Sequence, residues 1–292
     1  MDRRRAAQRL RTLTLPALCV LSGCVPPTGP SDESYSFGTT SSGMVVHAAA
    51  LPERGPGFVR ARPGEATRAG TRQLVGALSR AAAYVEATLP GGAPVRIGDL
   101  SSPHGGRHSR HGSHRAGRDA DVIFYATDAA GSPTRGRGWL AYDRFGTARE
   151  PDEGGRRGRV FFFDDARNWA FVRALLLDPE ARVQWIFVSN GIKARLLRYA
   201  AAHEQEREAV YRAREVLHQP SRGNPHADHF HVRVACGLRE QQLGCQDWGP
   251  VWPWLRHGPL NDPSEAQTPW TDDALVDALM GVPTSAETSD TE

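Results

Sequence analysis

The stretch HADHFHVR, residues 226–233, contains three of the chain's eleven histidines and alternates polar with apolar side chains. Such alternation predicts a half-buried β-strand, on which residues two positions apart face the same side. We therefore expect His229 and His231 to point together, while Phe230 and Val232 point into a core. Two imidazoles aimed at one place are typical of a metal or proton-transfer site. Two exposed histidines on a solvated strand would have the same pattern.

A second histidine-rich stretch, HGGRHSRHGSHRAGRDAD at residues 104–121, favours a functional site over two exposed histidines. It contains His111, His114 and Asp121 at spacings of three and seven, and it leads into DVIFY, which predicts a buried strand. Zinc accepts imidazole nitrogen and carboxylate oxygen, and a catalytic zinc site has three protein ligands and an open position for water. Seven of the eleven histidines lie in the two stretches. A surface loop rich in histidine and arginine does not explain that concentration, so we favour a metal site.

The remaining periodicity predicts a single α+β domain over residues 60–260, built around a mainly antiparallel β-sheet flanked by helices. Residues 127–159 are rich in glycine and arginine and are interpreted as a surface insertion. Residues 24–59 are expected to form a flexible tether, and the acidic residues 261–292 a disordered tail. The expected helices are 67–89, 166–177 and 192–217, and the expected strands are 95–97, 121–125, 160–163, 183–188 and 228–234.

The first 23 residues have the pattern of an export signal. An arginine-rich start, MDRRRAAQRLR, precedes the apolar stretch LTLPALCVL, which is too short to span a bilayer. The end of this stretch and the three residues after it, LSGC at positions 21–24, resemble a bacterial lipobox, so Cys24 is the expected lipidation site. An ordinary secretory signal followed by a chance cysteine is the alternative. Either way we expect a periplasmic protein, and lipidation would anchor it to a bacterial membrane, which we expect to be the outer membrane.

The distribution of charge argues against a nucleic-acid partner. The whole chain has a formal charge of +3, and residues 1–23 carry five arginines and one aspartate, a net +4. The remainder of the chain therefore carries −1. Nucleic-acid binding relies on a basic face, and this distribution does not predict one for the exported domain.

The cysteines are consistent with export. Cys19 lies within the signal and Cys24 at its end, so Cys236 and Cys245 remain as a pair for the domain. Disulfides persist in oxidising compartments. We predict a disulfide that closes a small loop after the histidine strand, with two free thiols as the alternative.

Together these motifs resemble those of the penicillin-insensitive murein endopeptidases, a branch of the lysostaphin, D-Ala-D-Ala metallopeptidase and sonic hedgehog group. The group shares an H-x6-D pattern, matched by His114 and Asp121, and a downstream HxH pair, matched by His229 and His231. The branch adds a histidine three positions before each motif and a cysteine after HVR. The matching residues and stretches are His111, His226, Cys236, residues 98–124 and residues 185–193. His104 and His108 have no counterpart in this pattern and are interpreted as loop residues.

The resemblance implies a Zn²⁺ site with His114, Asp121 and His231 as ligands and water in the fourth position. His111 is implied either as a further ligand or as a group that orients the site. Asp119 lies two positions before Asp121, a spacing that puts both on one face of a strand, but only Asp121 fits the H-x6-D spacing. The pattern offers no His/Asp pair for a second metal site in or near residues 127–159.

The implied activity is zinc-dependent hydrolysis of the D-alanyl–diaminopimelate cross-link between stem peptides of peptidoglycan, without a serine nucleophile. Zinc lowers the pKa of bound water toward about 7 and polarises the scissile carbonyl. His226 and His229 are the implied catalytic residues, one as general base and the other stabilising the oxyanion, in an order that the sequence leaves open. The alternatives are a D-Ala carboxypeptidase of the same group and a non-catalytic envelope or metal-binding lipoprotein.

Overall fold

Strands and helices alternate irregularly in the structure, a computed structural model that describes residues 33–151, 158–221 and 223–256. The strands are β1 Tyr35–Gly38, β2 Gly43–Val46, β3 Ala49–Ala50, β4 Arg54–Gly55, β5 Phe58–Arg60, β6 Ala69–Gly70, β7 Val95–Ile97, β8 Asp119–Ile123, β9 Ala126–Thr127, β10 Pro133–Thr134, β11 Thr147–Arg149, β12 Val160–Phe163, β13 Val183–Phe187, β14 Leu217–His218 and β15 His229–Val234. The helices are α1 Arg72–Thr88, α2 Asp165–Leu177, α3 Asn190–His203, α4 Arg207–Val216 and α5 Leu238–Gln242, followed by a 3-10 turn at Pro253–Leu255.

A seven-stranded sheet, in the order β14-β13-β15-β8-β7-β5-β4, lies at the centre of the fold. Neighbouring strands are antiparallel except in the β13–β14 and β5–β7 pairs, which are parallel. A smaller sheet has the order β10-β9-β12-β11, and β1–β2 and β3–β6 form separate two-stranded pairs. The predicted α+β fold with a mainly antiparallel sheet is confirmed.

Strand β15 lies between β13 and β8, in the middle of the central sheet. Its side chains Phe230, Val232 and Val234 belong to the main hydrophobic core. His229, His231 and Arg233 alternate with them, and alternate residues of a strand face opposite sides of the sheet. The apolar face of β15 therefore fixes the direction in which the two histidines project.

The helices that cover the apolar face begin at capping residues in the sequence. The hydroxyl of Thr71 accepts a hydrogen bond from the Leu74 N–H at the start of α1, and the carboxylate of Asp164 accepts one from the Arg167 N–H in α2. Such side-chain caps satisfy backbone donors that the first helical turn leaves unpaired. Helix α1 contributes a buried stripe to the core, consisting of Leu74, Ala77, Leu78, Ala81, Ala82 and Val85.

One predicted helix was wrong in its length. The expected helix over residues 192–217 consists of two helices, α3 and α4, which are separated at residues 204–206. The carboxylate of Glu204 accepts hydrogen bonds from Trp169 Nε1 and Arg173 Nε of α2, both at 2.9 Å. Glu204 has an extended backbone, with φ of −94° and ψ of 128°, and α3 therefore ends before it. The contact of Glu204 with α2 involves residues far apart in the sequence, so helical periodicity does not reveal it.

The prediction of a flexible tether over residues 24–59 was wrong for residues 33–59. These residues form β1 to β4 and most of β5, and they bury Val45, Leu51 and Phe58. Their strands are only two to four residues long, too short to produce a clear alternating pattern. The domain thus begins well before residue 60. The expected signal peptide, Cys24 and the tail at 261–292 lie outside the described residues.

The segment of residues 127–159 is more than a surface insertion. It contributes β10 and β11 to the smaller sheet, and it buries Leu140, Tyr142 and Ala148 in the main core. Within the described ranges, no helix has both the length and the apolar character needed to cross a membrane.

Candidate active site and metal centre

Asp121 is the centre of the candidate site. Strands β8 and β15 pair with Asp121 directly opposite His231, so both side chains lie on the face of the sheet away from the main core. His114 Nε2 lies 3.3 Å from Asp121 Oδ1, and His229 Nε2 and His231 Nδ1 each lie 3.4 Å from the same oxygen. The H-x6-D and HxH motifs, more than a hundred residues apart in sequence, therefore meet at one carboxylate.

His114 is held in an uncommon backbone conformation. Its φ is +61°, in the left-handed region, and its backbone N–H donates to Asp119 Oδ2 at 3.0 Å. The ring Nδ1 lies 3.2 Å from the carbonyl oxygen of Leu100. Because a carbonyl oxygen can only accept, Nδ1 carries a proton and Nε2 is the nitrogen that faces Asp121. Burial would lower the pKa of His114, but the carboxylate of Asp121 raises it. A metal ligand at Nε2 requires this orientation of the ring, with the proton kept on Nδ1.

His231 is oriented by a buried ion pair on the same face. Its Nδ1 faces Asp121, whereas its Nε2 lies 3.3 Å from Asp119 Oδ1. Asp119 in turn accepts hydrogen bonds from Arg233 Nε at 2.7 Å and from Arg233 NH2 at 3.2 Å. Burial alone would raise the pKa of Asp119, but Arg233 and His231 hold it well below its usual range. Asp119 is thus an ionised partner of His231, while Asp121 faces the site.

His111 lies between two carboxylates. Its Nε2 lies 3.1 Å from Asp99 Oδ2 and 3.5 Å from Asp121 Oδ2, and its ring centroid lies 4.2 Å from that of His114. Carboxylates accept hydrogen bonds, so the N–H at Nε2 can donate to Asp99 and lie close enough to Asp121 to orient it. The distances also allow His111 to belong to a set of ligand atoms with His114 and Asp121, all within 4.8 Å of one another.

His229 is held by its neighbour in the sequence. Its Nδ1 lies 2.7 Å from Asp228 Oδ1, which leaves Nε2 as the nitrogen that faces Asp121. Burial alone would lower the pKa of His229, but Asp121 and Asp228 raise it to about 10 in the protein alone. The arrangement can therefore accept and retain a proton at His229 Nε2.

His226 adopts a left-handed backbone with φ of +52°. Its N–H donates to Asn224 Oδ1 and its carbonyl accepts from the Ser189 N–H, both at 3.0 Å. The ring lies 5.0 Å from that of His229 and 5.5 Å from that of His231. Burial, together with the neighbouring His231 and His229, lowers the pKa of His226 to about 2, so its imidazole is neutral.

The chemistry of the buried atoms fits a divalent metal ion. Both oxygens of Asp121 and Nε2 of His114 are buried, and they form no hydrogen bond with any residue that the structure describes. Such groups are rare in folded proteins and indicate a missing partner. Burial would raise the pKa of Asp121, but His114 and His229 lower it well below its usual range, so the carboxylate is ionised. Two imidazoles and one carboxylate are a donor set that zinc accepts.

A second set of candidate ligands fits a metal less well. Asp99, His108 and His111 offer ligand atoms within 4.8 Å of one another. Asp99 already accepts hydrogen bonds from Arg110 Nε and NH2, at 2.9 and 2.7 Å. His108 Nδ1 accepts the Arg110 N–H at 3.2 Å, so the proton of the neutral ring lies on Nε2. A protonated nitrogen and an adjacent guanidinium both oppose a cation, which agrees with the interpretation of His108 as a loop residue.

The sequence did not identify the residues that hold the histidine-rich loop. The carbonyl of Thr40 accepts the Arg115 N–H at 3.0 Å, the carbonyl of Gly43 accepts the Gly106 N–H at 3.0 Å, and the Val45 N–H donates to the carbonyl of His104 at 3.2 Å. Backbone hydrogen bonds leave no signal in side-chain identity. The orienting carboxylates Asp99 and Asp228 were also missed, although each lies next to a recognised motif.

The predicted disulfide is present between Cys236 and Cys245, with an S–S distance of 2.06 Å. The loop that it closes contacts the first hairpin, because the Gly38 N–H donates to the carbonyl of Gly244 at 3.0 Å. Buried Arg118, just before β8, bonds Asp247 at 2.6 Å beyond the same loop. The disulfide loop therefore ties the N-terminal strands to the end of β15.

Comparisons with known proteins cover most of the domain. Residues 36–253 match the sequence model of the family described as penicillin-insensitive murein endopeptidase. A Haemophilus influenzae protein of that name is 28% identical over 229 residues, which span 76% of this chain and 71% of that protein. A Klebsiella pneumoniae protein of the same name is 36% identical over 99 residues, 34% of this chain and 35% of that protein. The resemblance noted from the motifs is confirmed.

Proposed function

Because this chain belongs to the family of penicillin-insensitive murein endopeptidases, we propose that it cleaves the D-alanyl–diaminopimelate cross-links of peptidoglycan with a zinc ion as cofactor. Family membership supports the coarser statement, that the protein is a murein endopeptidase. One observation supports the proposed metal ion. Three imidazole nitrogens from two distant segments surround Asp121, whose two buried oxygens have no hydrogen-bond partner in the described part of the chain.

The proposed ligands are His114 through Nε2, Asp121 and His231 through Nδ1. His114 and His231 each have their other ring nitrogen directed at a fixed oxygen, the carbonyl of Leu100 and the carboxylate of Asp119. Partners of this kind orient metal-binding histidines and set their tautomer. A zinc ion held there would act as a Lewis acid on the scissile carbonyl and would activate water for attack. His111 is assigned to orienting Asp121 and not to binding the metal. Its Nε2 lies 3.1 Å from Asp99 and 3.5 Å from Asp121, so its N–H is a donor to the carboxylates.

His229 and His226 are the proposed catalytic residues. His229 Nε2 faces the metal site while Asp228 holds Nδ1, so this ring is placed to take a proton from water and to pass one to the leaving amine. His226 stays neutral and lies beside both His229 and His231. Its buried Nδ1 has no partner among the residues described, and it is assigned to stabilising the oxyanion.

Digestion of purified sacculi, with the soluble products separated by mass, tests this proposal. The expected result is release of monomeric muropeptides from dimers, loss of that release on chelation, and its recovery with zinc. Free D-alanine as the product would favour the carboxypeptidase of the same group, and a zinc-containing protein that releases nothing would favour the non-catalytic lipoprotein. His114→Ala is expected to lose both zinc and activity, whereas His229→Ala is expected to lose activity and keep zinc.

The proposed site of action is the periplasm, with Cys24 carrying a lipid that anchors the protein to a membrane. The support is the lipobox-like LSGC at residues 21–24. More than one acyl chain is needed for stable attachment, and lipidation of a cysteine at the mature N-terminus supplies it. Cys24→Ser should move the protein to the soluble periplasmic fraction, and unchanged membrane fractionation would refute the anchor without affecting the enzymatic proposal.

A further inference from the structure

We infer that Trp139, in the segment of residues 127–159, is a positioning residue that holds the imidazole of His229 in its reactive orientation. The inference rests on the proposed role of His229 in catalysis. Residues 127–159, which the sequence predicts only as a surface insertion, would then contribute a residue to the active site.

The contact between the two rings is direct. The ring centroid of Trp139 lies 5.0 Å from that of His229, and the ring planes are perpendicular at 90°. This edge-to-face geometry is the arrangement that aromatic rings prefer. Trp139 is half-buried, and the guanidinium of Arg62 lies over its ring, 5.8 Å from the centroid.

The strand next to the site leaves room for the indole. Gly98 directly follows β7, and a Cβ atom at this position would lie 2.5 Å from Cη2 of Trp139. The same Cβ would lie 3.2 Å from Cβ of Asp121. Only glycine lets the indole approach this closely without displacement. The indole therefore lies against the backbone that leads to the metal-site aspartate as well as against His229.

Residues 127–159 make a second contact close to His229, through the backbone of Tyr142. The backbone N–H of Tyr142 donates to the carbonyl of Ala227 at 2.8 Å, and Ala227 lies between the two catalytic histidines. The Tyr142 ring is anchored in the core by edge contacts with Phe124 and Phe163, each at 5.9 Å. Because Tyr142 is buried in the core, its hydrogen bond to Ala227 ties residues 139–142 to the segment that carries His226 and His229.

Asp228 alone does not fix the His229 ring. It bonds Nδ1 at 2.7 Å, but its own side chain is partly exposed and the second torsion of histidine has a broad energy profile. The indole contacts the ring edge-to-face, and the ring of His226 lies 5.0 Å away, so these two neighbours limit the rotation that Asp228 leaves possible. Since a displacement of about 1 Å can reduce turnover a hundredfold, such a support affects the catalytic step more than substrate affinity.

The test compares Trp139→Ala with Trp139→Phe and Phe145→Ala in the zinc-loaded full chain. Phe145 is the matched control, because it is an aromatic residue of the same segment with 66% of its surface exposed. For Trp139→Ala we expect kcat to fall about tenfold or more, with KM within about twofold and zinc content unchanged. Trp139→Phe should recover most of the loss, and Phe145→Ala should match the parent. Should the alanine variant fail to fold, Trp139→Leu keeps apolar volume there and carries the same expectation.

A second readout is independent of turnover. Nitrogen–proton correlation spectra of the histidine rings, with the His229 signals identified by their loss in His229→Ala, should show those signals shifted or broadened in Trp139→Ala. An unchanged kcat, a rise in KM alone, or a fall in kcat with unchanged His229 signals would each overturn the positioning role. A fully active His229→Ala would instead refute the catalytic role of His229, and the positioning role with it.

Discussion

The two faces of strand β15 differ in how completely their side chains are satisfied. On one face, Phe230 and Val232 pack in the main hydrophobic core, which needs nothing from outside the protein. On the other face, His229 and His231 converge on Asp121, whose buried oxygens have no hydrogen-bond partner among the described residues. One face accounts for folding, and the other retains groups that only an additional partner would satisfy.

The same difference recurs within the polar face. Asp119 and Asp121 lie two positions apart on β8, and both are buried. Asp119 bonds Arg233 on the opposite strand, whereas Asp121 faces only imidazoles. Burying a charge is unfavourable unless it is paired and hydrogen-bonded. The pair with Arg233 therefore supports a structural role for Asp119, and the buried, unpartnered oxygens of Asp121 support its proposed role as a metal ligand.

Exchanging the two aspartates for alanine tests this distinction most strongly. Asp121→Ala should abolish zinc binding and sacculus cleavage, because it removes the carboxylate at which the other ligands meet. Asp119→Ala should lower the free energy of unfolding by about 3–5 kcal/mol, since it leaves Arg233 buried without its carboxylate. Elemental analysis, the digestion assay and urea denaturation of the metal-free proteins measure the three quantities. If Asp121→Ala were the more destabilising of the two, the assignment of structural and functional roles would be reversed.

A change on the apolar face of β15 should lower the stability of the protein and leave zinc binding intact. Phe230 is buried and packs edge-to-face on Phe124, with centroids 4.6 Å apart. Phe230→Ala should lower the free energy of unfolding by about 3–5 kcal/mol, because it removes core contacts and leaves a cavity. Zinc stoichiometry should remain that of the parent under conditions where the variant is folded. Loss of zinc from a folded Phe230→Ala protein would mean that the two faces are not independent.

The smallest expected effect concerns the support of His229. Asp228→Asn keeps the size of the side chain but removes the charge that holds Nδ1. We expect kcat to fall roughly tenfold, at the lower end of the effect of residues that orient a site. Zinc content and the thermal midpoint should stay unchanged, because Asp228 is partly exposed and acts on the site through His229, which is not a proposed zinc ligand. A loss of zinc equal to that in His114→Ala would place Asp228 in the metal site itself.

Elements with a strong local pattern were predicted closely from the sequence. The expected helix at 67–89 is α1, Arg72–Thr88, and the expected strand at 228–234 is β15, His229–Val234. Elements whose ends depend on distant contacts were not predicted. The end of α3 lies where Glu204 bonds to α2. The short strands within residues 33–59 are held in part by backbone hydrogen bonds to the histidine-rich loop.

The sequence alone determined which residues could form the site. The alternation in HADHFHVR assigned its side chains to two faces, because a strand has a fixed period of two. The resemblance to the H-x6-D pattern of the family singled out Asp121. Only the tertiary structure decided which nitrogen of each histidine faces Asp121, and it revealed the supports Leu100, Asp99 and Trp139. These features depend on the pairing of β8 with β15 and on loops that cross the sheet, which bring together atoms that have no relation along the chain.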